Sequence, residues 1–489
     1  MTLSSALAAA NSGLATTSRR AGIAAGNIAN ASTPGYVRRS LRVGEIVLNG
    51  QGQGARVLGV DRAQDIGLTR ERRQAGASAA RADVIARSYT DLNRELGAPG
   101  DGYGLFASYQ NVESALRELS VTPESPALQN AGANALNALA LQLNEQYSVG
   151  QAQRLTADNT IARSVRTVNS GLQRIQSLNG QIAGLGGNSG EIAALEDERG
   201  RVLDEISGIL PIKVIAREFG QIDITTEQGV FLLAGNVFEL EFTPAGVIPP
   251  GSQLGDGSNI LSGLYVGEQN LTPNSDGPFA LPSGTLSGLF TVRDVIAPEF
   301  LGGLDSLAGD LVARFSDAGV DPTNPAGAPG LFTDNGLALD PNNLAGLAGR
   351  IRVNAAIDTS QGGSATRLRD GLGATGTGPV SNSEILNNLL DAFTNSNAAP
   401  SGSGLSGSLT SSELAAGISS VIGEARVNAD AVATTSLARA SALADAELSL
   451  TGVDTDAEIQ SLLLIEQSYA ANARVIQTIS DMLDTLMQI

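Results

Sequence analysis

The sequence predicts a mainly α-helical, elongated, multi-domain protein with a β-rich insertion in its middle. Apolar residues recur at helical spacing over both ends of the 489-residue chain and over much of what lies between. Period-two alternation broken by Gly is confined to a stretch after Pro211. The two ends also differ in charge. Residues 1–44 hold Arg19, Arg20, Arg38, Arg39 and Arg42 and no acid, net +5, whereas residues 454–489 hold six acids against Arg474, net −5.

The first seam runs through Leu3, Leu7, Ala10, Leu14, Thr17, Ala21, Ala24, Ile28 and Ala31. Steps of four and three put a narrow apolar stripe on one side of a helix. The helix over 3–30 stops at Ser32-Thr33-Pro34-Gly35-Tyr36, because a Pro-Gly turn cannot continue it. Residues 37–66 read as extended, with Val43, Ile46, Val47, Val57, Leu58 and Val60 as packing positions. An Arg- and Ala-rich helix over 68–96, a Gly-Pro loop and a helix over 104–120 follow. Thr122-Pro-Glu-Ser-Pro126 marks a turn into a long helix to about Leu185. Its second half repeats Ile161, Val165, Val168, Leu172, Ile175 and Ile182, with Asn179 as the polar seam position, and predicts packing within the chain. Gly184, Gly186, Gly187 and Gly190 end it before a shorter helix over 191–209.

From Pro211, Ile212, Val214 and Ala216, then Ile222 and Ile224, then Phe238, Leu240 and Phe242 alternate with polar residues and predict a meander. Residues 244–284 read as loops and short strands. Helix returns over 284–317. Residues 318–410 are irregular, with a short strand at 350–354, a helix near 382–395 and an exposed Ser401-Gly-Ser-Gly404 loop. Helix then runs over 411–449, is broken at Thr451-Gly452-Val453, and resumes from 455 to the end. The last helix carries the second seam, Leu462, Ile465, Tyr469, Asn472, Ile476, Ile479, Leu483 and Leu486. Such stripes are unstable in water until another helix covers them, so the ends are expected to pair as a coiled-coil stem. Asn472 has two readings: a buried residue that costs stability in that seam but fixes its register against a polar group, or a sign that this helix face is only partly buried there.

Composition narrows the chemistry. The chain has no Cys, His or Trp and one Lys, Lys213, against thirty Arg. Thiolate, imidazole and structural-zinc chemistry are thereby excluded. Aromatics at 4% point to thin helical layers rather than one large globular core. A net charge of −19 argues against nucleic acid as the main partner. No run of eighteen apolar residues predicts a membrane span. The Ala-rich start has no basic residue before Arg19, which makes it a poor Sec signal, so export would use another route and retain the N-terminus.

Motifs that could carry catalysis have simpler readings. Gly371-Leu-Gly-Ala-Thr-Gly376 matches G-x-G-x-x-G, but no strand leads into it, so it reads as a surface turn. Asp454-Thr-Asp-Ala-Glu458 lacks the Gly and Glu of a calcium loop and reads as a helix cap. Glu191, Glu196, Asp197 and Glu198 share a helix with Arg199 and Arg201 and read as a solvated charged face. No catalytic, cofactor-binding or metal-binding residue is expected.

The segment Gly26-Asn27-Ile-Ala-Asn30-Ala-Ser-Thr-Pro34-Gly35-Tyr36-Val-Arg-Arg39 resembles the N-terminal signature of the bacterial flagellar rod, hook and hook-associated axial proteins. Glu466-Gln-Ser-Tyr469-Ala-Ala-Asn472-Ala-Arg-Val-Ile476-Gln-Thr-Ile479 and Met482-Leu-Asp-Thr-Leu486 resemble the C-terminal signature of the same superfamily. The helical segment 68–209, the passage Leu195–Ser207 and the passage Leu281–Asp294 favour its hook–filament junction branch over a hook or rod subunit, the alternative reading. A secreted enzyme with flagellar-type ends is a remote third. The resemblance implies a self-assembling, non-enzymatic structural protein of the flagellum. It would be exported through the flagellar type III channel and sit outside the cell in a ring-like homo-oligomer. The implied partners are hook protein, a second junction protein and a cytoplasmic export chaperone on the C-terminal helix.

The expected assembly interface comprises Leu3, Leu7, Leu14, Ile28, Asn30, Pro34, Gly35 and Tyr36 with Leu462, Ile465, Tyr469, Asn472, Ile476, Ile479, Leu483 and Leu486. The expected domains are a terminal assembly domain (1–66 and 450–489), a helical stem (67–210, 284–317 and 411–449), a β-rich domain (211–283) and an irregular outer segment (318–410).

Overall fold

Long helices dominate because the sequence supplies unbroken apolar periodicity between strong caps. The computed structural model describes residues 3–48, 51–97, 100–185 and 190–487. Helix α1 (Leu3–Asn30) leads through the Pro-Gly turn into the antiparallel hairpin β1 (Arg39–Leu48) and β2 (Gln51–Arg62). Two register shifts in the hairpin, after Arg42 and after Glu45, add local twist. The Asp65 side chain caps α2 (Ile66–Leu96) by accepting from the Gly67 and Leu68 amides. Helices α3 (Gly104–Val121), α4 (Pro126–Gly184) and α5 (Gly190–Ile209) follow. Ser125 caps α4 and Pro126 opens it, a position where a missing N–H costs nothing. The 59 residues of α4 extend about 90 Å at 1.5 Å per residue. This much helix between 66 and 209 is what a rod or hook subunit was expected to lack. Gly186 and Gly187, expected to end α4, lie outside the described residues.

The meander is a four-stranded antiparallel sheet in the order β3 (Ile212–Ala216), β4 (Ile222–Thr226), β5 (Phe231–Ala234), β6 (Asn236–Val237). The strand expected at Phe238–Phe242 is not formed. That segment runs against α4, where the Asn169 side chain binds both backbone groups of Leu240, and it makes a single bridge, Glu241 to Tyr265. Asn179, the polar seam position of α4, likewise pairs with the Ile222 backbone and also accepts from Arg199 Nη1 of α5 at 3.0 Å, so it ties both the sheet and a second helix to α4. A two-stranded piece, β7 (Tyr265–Val266) and β8 (Gln269–Asn270), precedes α6 (Gly284–Thr291), one π-helical turn (292–296) and α7 (Ala297–Ser316).

The π turn places Arg293 inside the protein. Its guanidinium donates to Asp158 Oδ1 at 2.8 Å and to the Ser262 carbonyl at 3.0 Å, and lies 4.6 Å from the centre of the Phe290 ring. Asp158 Oδ2 accepts from the Ala245 amide at 2.7 Å. Arg154, one turn before, holds the Arg293 and Ser252 carbonyls. Loop 243–262 is thus fastened to α4 by charged side chains, around a small separate cluster of Ala245, Ile248 and Leu261.

Residues 318–410 fold back as β9 (Phe332–Asp334), α8 (Leu347–Arg350), β10 (Ile351–Val353), α9 (Arg367–Asp370), α10 (Glu384–Thr394), β11 (Asn397–Ala398) and β12 (Ser408–Leu409). Phe332, Leu347, Ile351, Leu368 and Phe393 enter the same apolar core as α3, α4 and α7. The Gly371–Gly376 turn is pinned to the preceding loop by Asp321, which accepts from the Leu372 amide at 2.7 Å. A capping box of Thr410 and Glu413 starts α11 (Ser411–Thr451), and Asp454 caps α12 (Thr455–Met487). The main core begins at Leu92 and ends at Ile422, and neither α1 nor α12 contributes to it.

Candidate assembly interface

The two terminal helices pair with each other, and two contacts fix how. A Cβ built on Gly13 would lie 2.9 Å from Asn472 Oδ1, so the Asn472 amide rests directly on the Gly13 backbone. Further along, Asn27 Nδ2 donates to Glu458 Oε1 at 3.1 Å. Fourteen residues separate these contacts on each helix, so α1 and α12 run antiparallel without slippage. The same holds for the next pair. Thr69 of α2 bonds Glu447 of α11, and a Cβ on Gly423 would lie 3.4 Å from Asn93 Oδ1, twenty-four residues further on along each helix. The chain leaves on α1 and α2 and returns on α11 and α12.

The seam residues are unevenly covered. Leu3, Leu7, Leu14 and Ile28 are half-buried, as are Leu462, Ile465, Asn472 and Ile476, and Ile479 is buried. Tyr469, Leu483 and Leu486 stand exposed, Leu486 at 58%. The outer side of α12 adds Leu464 at 64% and Val475 and Met482 at about half exposure. One chain alone therefore leaves a large part of its terminal apolar surface in water.

The Pro-Gly signature folds around Asn27, a residue of that signature not expected at the assembly interface. Asn27 is fully buried. Its Nδ2 also donates to the Arg39 carbonyl at 2.9 Å, and its Oδ1 accepts from the Tyr36 hydroxyl at 2.9 Å and the Arg39 amide at 3.0 Å. Burial raises the Tyr36 phenol above its ordinary pKa, with the neighbouring Arg39 opposing it. Asn30 instead turns back on its own helix, donating to the Gly26 carbonyl at 2.9 Å. Pro34 and Gly35 are exposed at the turn, where Gly35 has φ +75° and Arg201 lies over it. Only a residue without Cβ fits both the left-handed backbone and that close approach. The Arg38 amide donates to the Thr451 carbonyl at 2.8 Å, tying the turn to the break between α11 and α12.

Of the α5 acids expected to form a solvated face, Glu191 is exposed and Glu198 pairs with Arg174 at the surface, whereas Asp197 holds the hairpin and Asp204, further along, holds α2. Asp197 is 5% exposed and accepts from Arg39 Nη2 at 2.7 Å and from Arg62 Nε at 2.9 Å. Asp204 accepts from Arg72 and Arg73, each at 2.7 Å, and Glu447 accepts from Arg72. The partners are more than a hundred residues apart in sequence, so a helical-face argument along α5 had no means of finding them.

An open cavity of about 420 Å³ lies between the end of α7 and α10. Of its carboxylates, Asp310 is buried but paired with Arg314 at 2.6 Å, and Asp317 and Asp391 are exposed. It therefore offers no buried pair of free carboxylates for acid–base work.

Residues 90–330 match the family described as the flagellar hook-associated protein FlgK helical domain, and residues 447–489 match the flagellar basal body rod FlgEFG protein C-terminal family. The chain is 23% identical to flagellar hook-associated protein 1 of Bacillus subtilis, over 99% of this chain and 96% of that one. It is 23% identical to the protein of that name from Escherichia coli, with all of both chains covered. A solved structure, the flagellar hook junction protein FlgK from Burkholderia pseudomallei, aligns with TM-score 0.42 and 20% identity over 54% of this chain and 46% of that one. Along its whole length the chain is thus similar to flagellar hook-associated protein 1, and its middle matches the helical-domain family of that protein.

Proposed function

We propose that this chain is the structural subunit that joins hook to filament and assembles through its two terminal helices. One observation carries the reading: α1 and α12 cover each other only in part and lie outside the main core, so their remaining apolar surface is free for neighbours. Residues 1–66 and 450–489 would form the assembly unit. Residues 67–210, 284–317 and 411–449 would form a rigid stem bearing the β-rich part (211–283) and the outer segment (318–410).

Terminal helices that cover each other only in part and lie outside the main core are easily opened until neighbours cover them, which suits passage through a type III channel as an unfolded chain. The partners would be further copies of the same chain, hook protein on one side and a second junction protein on the other. An export chaperone would shield the C-terminal helix in the cytoplasm. The role is architectural rather than enzymatic, and its place is outside the cell.

The test is a strain lacking this protein, which should make hooks that carry no filament. Removal of 455–489 should abolish incorporation at the hook tip while leaving the stem folded by circular dichroism. Filaments of normal length in either strain would refute the reading.

A further inference from the structure

The opposite charges of the two ends are not spent on each other. Among the described residues no ion pair joins 3–48 to 454–487. Of the hairpin cations, Arg39 and Arg62 turn to α5 and Arg42 to Asp61 of the same hairpin. Arg19 and Arg20 on α1, and Glu466 and Asp484 on α12, are exposed and make neither hydrogen bond nor ion pair.

The register of the two helices gives these groups a height. Arg19 lies six residues beyond Gly13, and Glu466 lies six before Asn472, so they sit level. They do not meet within the chain because Glu466 faces away from the seam. Eighteen residues separate Glu466 from Asp484, five turns at 3.6 residues each, so both acids share one flank of α12. Ile459 and Leu463, both about half exposed, lie two turns and one turn before Glu466 on the same flank. An acid beside uncovered apolar side chains, with bare cations at matching height, is the composition of an interface whose other half is missing.

We propose that Arg19 and Arg20 of one copy dock on the Glu466 flank of α12 in the next copy, at the same height along the terminal helices, an arrangement that rests on the self-assembly proposed above. The contact joins two different surfaces. With each copy turning its cations to one neighbour and its Glu466 flank to the other, it is head-to-tail and propagates around a ring or a shallow helix. Because both sides are exposed, it should weaken with ionic strength.

The natural absence of cysteine makes the test direct. Two full-length chains, Arg19→Cys and Glu466→Cys, are co-expressed in cells lacking the parent, and their flagella are isolated and oxidised. A mixed disulfide dimer is expected, since neither chain can bridge internally. Dimers of like with like, or none, with both chains present in the flagella, would overturn the arrangement. In parallel, Arg19→Glu with Arg20→Glu should lower incorporation at least tenfold, and adding Glu466→Arg to that chain should restore most of it. Unchanged incorporation of the first variant, or no restoration by the second, also counts against the arrangement. If the unmodified chain is itself missing from isolated flagella, the junction reading fails and this one falls with it.

Discussion

The amide of Asn472 sits on the bare backbone of Gly13, and that contact sets the register of the terminal helix pair. A Cβ at position 13 would come within 2.9 Å of Oδ1, 3.1 Å of Nδ2 and 3.2 Å of Cγ of Asn472. Seam polarity and small size meet at one level, so the register is held by shape as well as by apolar burial.

Gly13→Leu should therefore push α12 away from α1. Asn472→Ala in the same chain should recover part of the loss, because it removes the group that collides. A double-mutant cycle on the rate of proteolysis within 455–487 should show a coupling of about 1 kcal/mol or more, the range for residues in direct contact. Additive effects would mean that the two positions do not set the register.

Asn27→Ala should destabilise the signature turn and the hairpin by about 2–3 kcal/mol. It leaves the Tyr36 hydroxyl and the Arg39 amide and carbonyl without their partner in a buried setting. Asn27→Asp should do no better, since it loses both donated bonds and faces the Glu458 carboxylate. Hydrogen exchange at 36–62 measures this, and unchanged protection there would contradict it.

Asp197→Ala should loosen the hairpin from α5, costing about 1–3 kcal/mol, because two guanidinium groups lose their shared acceptor. The stem should stay intact, since its core lies elsewhere. Faster exchange across β1 and β2 with unchanged exchange in α4 is the expected pattern.

Asp158→Ala should cost about 1–3 kcal/mol, because it removes a fully buried carboxylate from Arg293, which keeps only that of Asp294, and leaves the Ala245 amide without its acceptor. Loop 243–262 should become the first segment to open, as it is fastened there by Asp158, Arg154 and Arg293. Proteolysis confined to other loops would argue against that fastening.

Asp305 should make stability fall as pH rises through the weakly acidic range. Burial raises its pKa to about 6, even though the Gly346 and Ala348 amides donate to it. The folded chain thus keeps a proton that the unfolded chain releases near pH 4. Stabilisation from this group is complete below about pH 4 and is lost by about pH 6. Relative to Asp305→Asn, the parent should lose on the order of 2–3 kcal/mol between pH 4 and pH 7 in denaturant unfolding. A difference that does not change with pH would show that Asp305 titrates normally.

The helices were readable from sequence because their signals are local. Ser125-Pro126 opens α4, the Thr410 capping box opens α11 and Asp454 opens α12, each within four residues of the helix that it starts. The pairing of the two ends was readable as well, since a bare apolar stripe demands a partner and the chain held two of them.

Phe238–Phe242 shows where locality fails. The alternation there is real, yet no strand forms, because Asn169, seventy-one residues away from Leu240, takes the backbone groups that a sheet would use. Asp197 and Asn27 are the same lesson for the interface. An acid on α5 looked solvated until the hairpin brought Arg39 and Arg62 to it from over a hundred residues away, and Asn27 became a hub only once Glu458 arrived from the other end.

By itself, then, the sequence determined which segments are helical, where they stop, and that the termini must be covered. Those properties follow from backbone propensity and from the spacing of apolar side chains along one helix. Tertiary structure alone decided the antiparallel register, the hub at Asn27 and the partners of the α5 acids. Those depend on which distant side chains arrive at the same place, and the free energy of such a meeting belongs to neither residue alone.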